Sequence, residues 1–101
     1  MATRFRLSPE ATTQLGDILE FLADENPAAA LRVRNAIYEA CEQLAGMPGM
    51  GHSREDLTER PVKFWSVFSY LLVYDPSSDP LEIVAVIHGA RNVEQILKTS
   101  Q

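Results

Sequence analysis

Two polar side chains follow the last apolar segment of the chain. Residues 81–87 read Leu-Glu-Ile-Val-Ala-Val-Ile, and His88 and Arg91 come next with only Gly89 and Ala90 between them. An imidazole acts as an acid or a base near neutral pH, and a guanidinium holds a phosphate or a carboxylate. We therefore expect this pair to lie at one edge of the domain, where it would serve catalysis or the recognition of a partner.

Each member of this pair also has a structural role open to it. Arg91 could pair with a nearby carboxylate. By strand alternation His88 shares a face with Val84 and Val86, which favours a hydrogen-bonded structural histidine over a catalyst.

Three other basic side chains, Arg54, Arg60 and Lys63, cluster in the second half of the chain. We expect Arg54 to pair with Asp56 within its loop. Arg60 and Lys63 are either a solvated rim or contacts for an acidic partner, since both lie near the start of a predicted strand.

Five aromatic residues fall within residues 62–74, which are predicted to form two strands. We expect them to be core or surface that a partner covers, and an exposed one would be a natural anchor for that partner. Trp65 and Tyr70 are the candidates for such contacts, and the others are Phe64, Phe68 and Tyr74.

Composition limits the classes of function. The 101 residues suffice for one domain, residues 1–101, and the net charge of −5 argues against nucleic-acid binding by the whole surface. The one cysteine, Cys41, is expected in the core, and no Cys/His cluster suggests zinc. We expect no metal and no cofactor.

There is no apolar run of about 20 residues and no secretory leader, so we expect a cytoplasmic protein without a membrane span.

Local signals predict the elements that position these residues. A short strand covers residues 4–7, and helices begin at Ser8-Pro9 and Asn26-Pro27, where a capping side chain precedes a proline. Only residues 23–25 are expected to connect the two helices, which therefore form a hairpin. Gly16 in the first helix is expected to mark close packing against a neighbour.

Three strands follow a polar loop over residues 52–61. They cover residues 62–68, 69–74 and 81–87, and Asn92 is expected to cap a short C-terminal helix that Val93, Ile96 and Leu97 dock. The predicted class is α+β, in the order β-α-α-β-β-β with a short C-terminal helix. The helical hairpin would lie on one face of a small, mostly antiparallel sheet.

In this order and spacing the chain resembles the RelE/ParE superfamily of type II toxins, and most of all its ParE branch of plasmid-stabilisation proteins. The resemblance covers nearly the whole chain. It rests on the Ser8-Pro9 and Asn26-Pro27 helix starts and on four further segments, namely Leu44 with Pro48 and Gly51, Arg54-Glu55-Asp56-Leu57, residues 70–74, and residues 87–91.

The resemblance implies a toxin that is neutralised by an antitoxin, of the ParD-like or another ribbon-helix-helix type. The antitoxin would wrap an extended and helical tail over the toxin, and contact with operator DNA would be indirect, through the antitoxin. ParE-like members poison DNA gyrase, whereas RelE-like members cut messenger RNA on the ribosome. A non-toxic relic that only binds its antitoxin is a third possibility.

Two features of the sequence bear on this choice. In the RelE branch an arginine follows the first aromatic residue of the third strand, and here that position is Leu71. The C-terminal tyrosine of that branch has no counterpart, because residues 93–101 contain no aromatic side chain. A ribonuclease would have to rely on Arg91, His88 and Lys63 or Arg60. We therefore expect a gyrase-type or other protein target, reached by binding, with these residues and Arg54, Trp65 and Tyr70 as candidate contacts.

Overall fold

The computed structural model describes residues 4–56 and 58–89. Arg91, Leu57 and the predicted C-terminal helix lie outside the described residues. The elements in chain order are β1 (Phe5–Leu7), α1 (Pro9–Glu25), α2 (Pro27–Gly46), a short 3-10 helix (Pro48–Met50), β2 (Lys63–Val67), β3 (Tyr70–Asp75) and β4 (Leu81–His88).

The four strands form one mixed sheet in the order β1-β4-β3-β2. β1 runs parallel to β4, while β2, β3 and β4 form an antiparallel meander. The predicted α+β class and the mostly antiparallel sheet are confirmed. β1 and β4 are separated in the chain by both helices and two strands, so no tight turn requires them to be antiparallel.

Both predicted helix starts are confirmed. They could be predicted because capping involves residues that are close in sequence. The Ser8 side chain accepts a hydrogen bond from the Ala11 amide, and the Asn26 side chain accepts from the amides of Ala28 and Ala29. The predicted connection over residues 23–25 is wrong. α1 continues through Glu25, so Asn26 alone ends one helix and caps the next.

The main core lies between the helices and one face of the sheet. It includes Cys41, which is fully buried as predicted, together with Ala11, Leu15, Ile37, Leu44, Leu72, Tyr74, Ile83 and Val86. A second cluster is made by Val62, which precedes β2, and by strand residues of the opposite alternation, namely Phe64, Val73, Ala85 and Ile87. The sheet is therefore buried on both faces.

The phenol of Tyr74 joins the sheet to the turn after α2. Its hydroxyl donates to the Pro48 carbonyl at 2.6 Å and accepts from the Gly51 amide at 2.9 Å. A Cβ at Gly51 would lie only 2.5 Å from this hydroxyl oxygen, so the close approach explains the glycine. Gly16 is different, since a Cβ there would meet nothing within 4 Å. The expectation of close packing at Gly16 is wrong, because that position faces solvent.

Candidate binding surface

His88 ends β4 beside the first residue of β3. The antiparallel register pairs His88 with Tyr70, and their rings meet edge to face with centroids 5.3 Å apart. Both side chains are half-buried. β4 continues one residue beyond the predicted end at residue 87, so His88 is the last residue of the strand.

A bulge in β4 decides which way His88 faces. Val73 pairs with Ala85 and Tyr74 with Ile83, so Val84 has no partner on β3. The extra residue reverses the alternation. Val86 consequently joins the core under the helices, whereas Val84 packs against the opposite cluster. The expectation that His88 shares a face with both valines is therefore wrong for Val84.

Polar side chains of the α1 region hold the second half of β4 where β1 no longer pairs. β1 pairs with β4 only as far as Ile83. Beyond it, the Ser8 hydroxyl donates to the Val84 carbonyl at 2.8 Å, and the Gln14 side-chain oxygen accepts from the Val86 amide at 2.8 Å. These bonds satisfy backbone groups that a longer β1 would have paired, and they fix α1 against this end of β4.

A groove of about 540 Å³ lies between α1 and the ends of β3 and β4. Its lining is mostly apolar, with His88 and Asp17 among its polar members. Among the described residues, the lining consists of Gln14, Asp17, Ile18, Phe21, Tyr70, Val86, Ile87 and His88. This size is typical of clefts that bind a ligand or a short segment of another protein.

Two large apolar side chains are exposed beside or near this end of the sheet. Phe21 on α1 is 67% exposed, and Phe68, in the two-residue loop between β2 and β3, is 65% exposed. Phe68 also has φ 54°, in the left-handed region that favours glycine. The sequence placed Phe68 among the candidate partner-covered aromatics, and its exposure fits that role.

The basic residues of the loop form a separate group. Arg54 and Asp56 pair as expected, with nitrogen–oxygen distances of 3.0 and 2.8 Å, and this hydrogen bonding holds the pKa of the Asp56 carboxyl below its usual range. The Lys63 ammonium lies 3.5 Å from the Ser53 hydroxyl. Arg60, Ser53 and Lys63 line a shallow pocket of about 290 Å³. One terminal nitrogen of Arg60 is buried without a hydrogen-bond partner.

Lys63 and His88 lie far apart in the sheet. Lys63 pairs with Tyr74 and His88 with Tyr70, which places them four residues apart along β3 and on its two opposite sides. At about 3.3 Å per residue and 4.8 Å per strand, the two Cα atoms are roughly 16 Å apart. The structure therefore does not bring these two candidate catalytic side chains together.

The remaining candidates occupy different surroundings. Trp65 is partly buried against the main core and stacks on His52, with ring centroids 6.3 Å apart. Leu71 packs with the opposite cluster, on the other face of the sheet from Tyr70. Within residues 4–56 and 58–89, no group of three or more His, Cys, Asp or Glu side chains could hold a metal. No helix in the described part of the chain has the length and apolar character needed to cross a bilayer.

The contribution of α1 to this surface was not predicted from the sequence. Gln14, Asp17 and Phe21 follow one another at intervals of three and four residues, so they form a stripe along the helix. A large apolar side chain, Phe21, in a stripe with two polar residues is a sequence signal for a partly exposed contact surface. The sequence does not show which end of the sheet α1 crosses, so it does not locate that surface.

Two helices on one four-stranded mixed sheet, with a groove where α1 meets the strand ends, define a small α+β domain without a recognisable metal centre in its described part. The family described as ParE toxin of type II toxin-antitoxin system, parDE, matches residues 5–93. The chain belongs to this family of toxins.

A solved structure supports the fold. The chain is similar to a protein of the chromosomal ParDE toxin–antitoxin system from P. aeruginosa, with a TM-score of 0.67 and 17% identity over 83% of this chain and 92% of that chain. No curated protein gives a significant match.

Proposed function

We propose that this ParE-family toxin acts by binding a protein target, with DNA gyrase as the first candidate, and that a cognate antitoxin neutralises it. The antitoxin would be of the ParD-like or another ribbon-helix-helix type, and operator DNA would be contacted only through it. The solved relative is itself part of a toxin–antitoxin system, which supports such a partner.

The separation of the candidate catalytic groups carries this proposal. Cleavage of RNA through its 2′-hydroxyl requires a base, an acid and a cation around one phosphate. Lys63 and His88 lie beside opposite ends of β3. Leu71 occupies the position at which the nuclease branch has an arginine, and it lies on the opposite face of the sheet from Tyr70. By contrast, the exposed Phe21 and Phe68 are typical of a surface that another protein covers.

Purified full-length protein should inhibit supercoiling by gyrase and trap a cleavage complex on plasmid DNA. In a binding mechanism Lys63→Ala and His88→Ala reduce this effect by less than about tenfold, because neither removes a catalytic group. A ribonuclease would instead lose roughly 10²–10⁴ in rate with either change. Unchanged supercoiling and no trapped complex at saturating protein would contradict a gyrase target.

The second candidate is a ribosome-dependent ribonuclease that uses Arg91, His88 and Lys63 or Arg60. The edge-to-face contact of His88 with Tyr70 favours it, because it places two proton-transfer groups at one groove. Primer extension on translated messenger RNA would then show cuts that vanish in Arg91→Ala. Intact messages in cells that produce the wild-type protein would remove this candidate. Growth arrest on production without antitoxin would exclude a non-toxic relic.

A further inference from the structure

The charges on α1 differ from those of the rest of the chain. The helix carries five carboxylates and no lysine or arginine, and all five are exposed, namely Glu10, Asp17, Glu20, Asp24 and Glu25. Two ion pairs join described residues, Arg6–Glu82 and Arg54–Asp56, and neither involves a carboxylate of α1. Within the described part of the chain, no ion pair compensates the acidic surface of this helix.

The last turn of α1 makes this charge unfavourable for the helix itself. Asp24 and Glu25 lie at the negative end of the helix dipole, and no basic residue is present in that turn. A cation supplied from outside would remove this repulsion. The acidic last turn is therefore unfavourable within α1, and Asn26 alone separates it from the positive end of α2, which favours nearby carboxylates.

The same helix forms one wall of the apolar groove. Asp17 lines the groove, Phe21 stands one turn further along and is 67% exposed, and Asp24 follows at the next helical interval. Intervals of three and four residues place the three side chains on one stripe. The wall therefore offers an apolar contact with a carboxylate on either side of it.

We propose that the groove between α1 and the ends of β3 and β4 binds a basic segment of the antitoxin, anchored by an apolar side chain and paired through lysine or arginine with Asp17 and Asp24. This inference rests on the proposed neutralisation by an antitoxin. Charge complementarity selects the occupant, because a chain of net charge −5 with an all-acidic helix repels an acidic tail. An apolar anchor would rest on Ile18, Phe21 and Val86.

The test is the affinity of the full-length protein for the antitoxin encoded by the adjacent gene, measured by titration calorimetry at low and high salt. We expect Asp17→Lys/Asp24→Lys to weaken binding by about tenfold or more and to flatten its salt dependence. Glu39→Lys/Glu42→Lys on α2 changes the net charge equally and is exposed away from the groove lining, so it should bind like wild type. Phe21→Ala tests the apolar contact without a charge change.

Folding failure can be separated from loss of binding. Thermal unfolding of both double variants is compared with wild type, and an unfolding temperature close to that of wild type shows that the fold is retained. Equal affinity of both double variants would overturn the groove as the docking site. A free protein that is a dimer, and that Phe21→Ala makes monomeric, would assign the groove to a second copy instead. If wild type does not bind the antitoxin at all, the proposed neutralisation itself is wrong.

Discussion

The Tyr74 hydroxyl shows how one buried polar atom fixes a turn that local sequence leaves open. Tyr74→Phe keeps the ring but leaves the Gly51 amide and the Pro48 carbonyl without this partner. We expect a loss of about 1–3 kcal/mol in the free energy of unfolding, measured by urea denaturation. Tyr38→Phe is the matched control, because the half-buried Tyr38 ring makes edge and cation contacts that phenylalanine retains. Equal stability of the two variants would contradict this role.

Phe68 combines a disfavoured backbone conformation with an exposed aromatic ring. At φ 54°, a bulky residue costs about 1–2 kcal/mol relative to the right-handed region, and glycine avoids most of this cost. Phe68→Gly should therefore be more stable than Phe68→Ala by about 1 kcal/mol in urea denaturation. If the alanine variant is equally stable, the strain is absent. An exposed phenylalanine with a strained backbone conformation fits a contact with another protein.

Among the secondary-structure elements, the features that were predicted correctly depend on residues close together in sequence. Ser8 and Asn26 cap their helices as expected because each bond spans two or three residues. Long-range packing determined the rest. The bulge at Val84 depends on pairing with β3, and the single-residue connection at Asn26 leaves α1 longer than expected.

The candidate site divides in the same way. Strand alternation and the turn signals placed His88 and Tyr70 at strand ends, and they prove to be neighbours. The contribution of Gln14, Asp17 and Phe21 could not be predicted, since it depends on α1 crossing the second half of β4. Sequence distance gave no guide either, because Gln14 accepts a hydrogen bond from Val86, 72 positions away.

At the scale of the whole molecule, two buried acids should make the fold sensitive to alkali. Burial, reinforced by the nearby Glu42 carboxylate, raises the pKa of the Cys41 thiol from 9.0 to about 12, and burial also raises the pKa of the Tyr74 phenol. The folded chain therefore holds both protons more tightly than the unfolded chain. Their contribution is fully present below about pH 9 and is lost as the pH rises further.

The urea midpoint should accordingly fall between about pH 9 and about pH 11, with a shallower fall in Cys41→Ala. A midpoint that is constant over this range would contradict the burial of both groups. In the same experiment the Cys41 thiol should remain unreactive toward a thiol reagent until the chain unfolds.

We propose above all that this ParE-family toxin acts on a protein by binding and not on RNA by chemistry. The most direct measurement is production of the protein in cells without antitoxin, scored together for the DNA-damage response and for cuts in translated messenger RNA. We expect growth arrest with a DNA-damage response and intact messages. Specific cuts in translated messages, without a DNA-damage response, would contradict it.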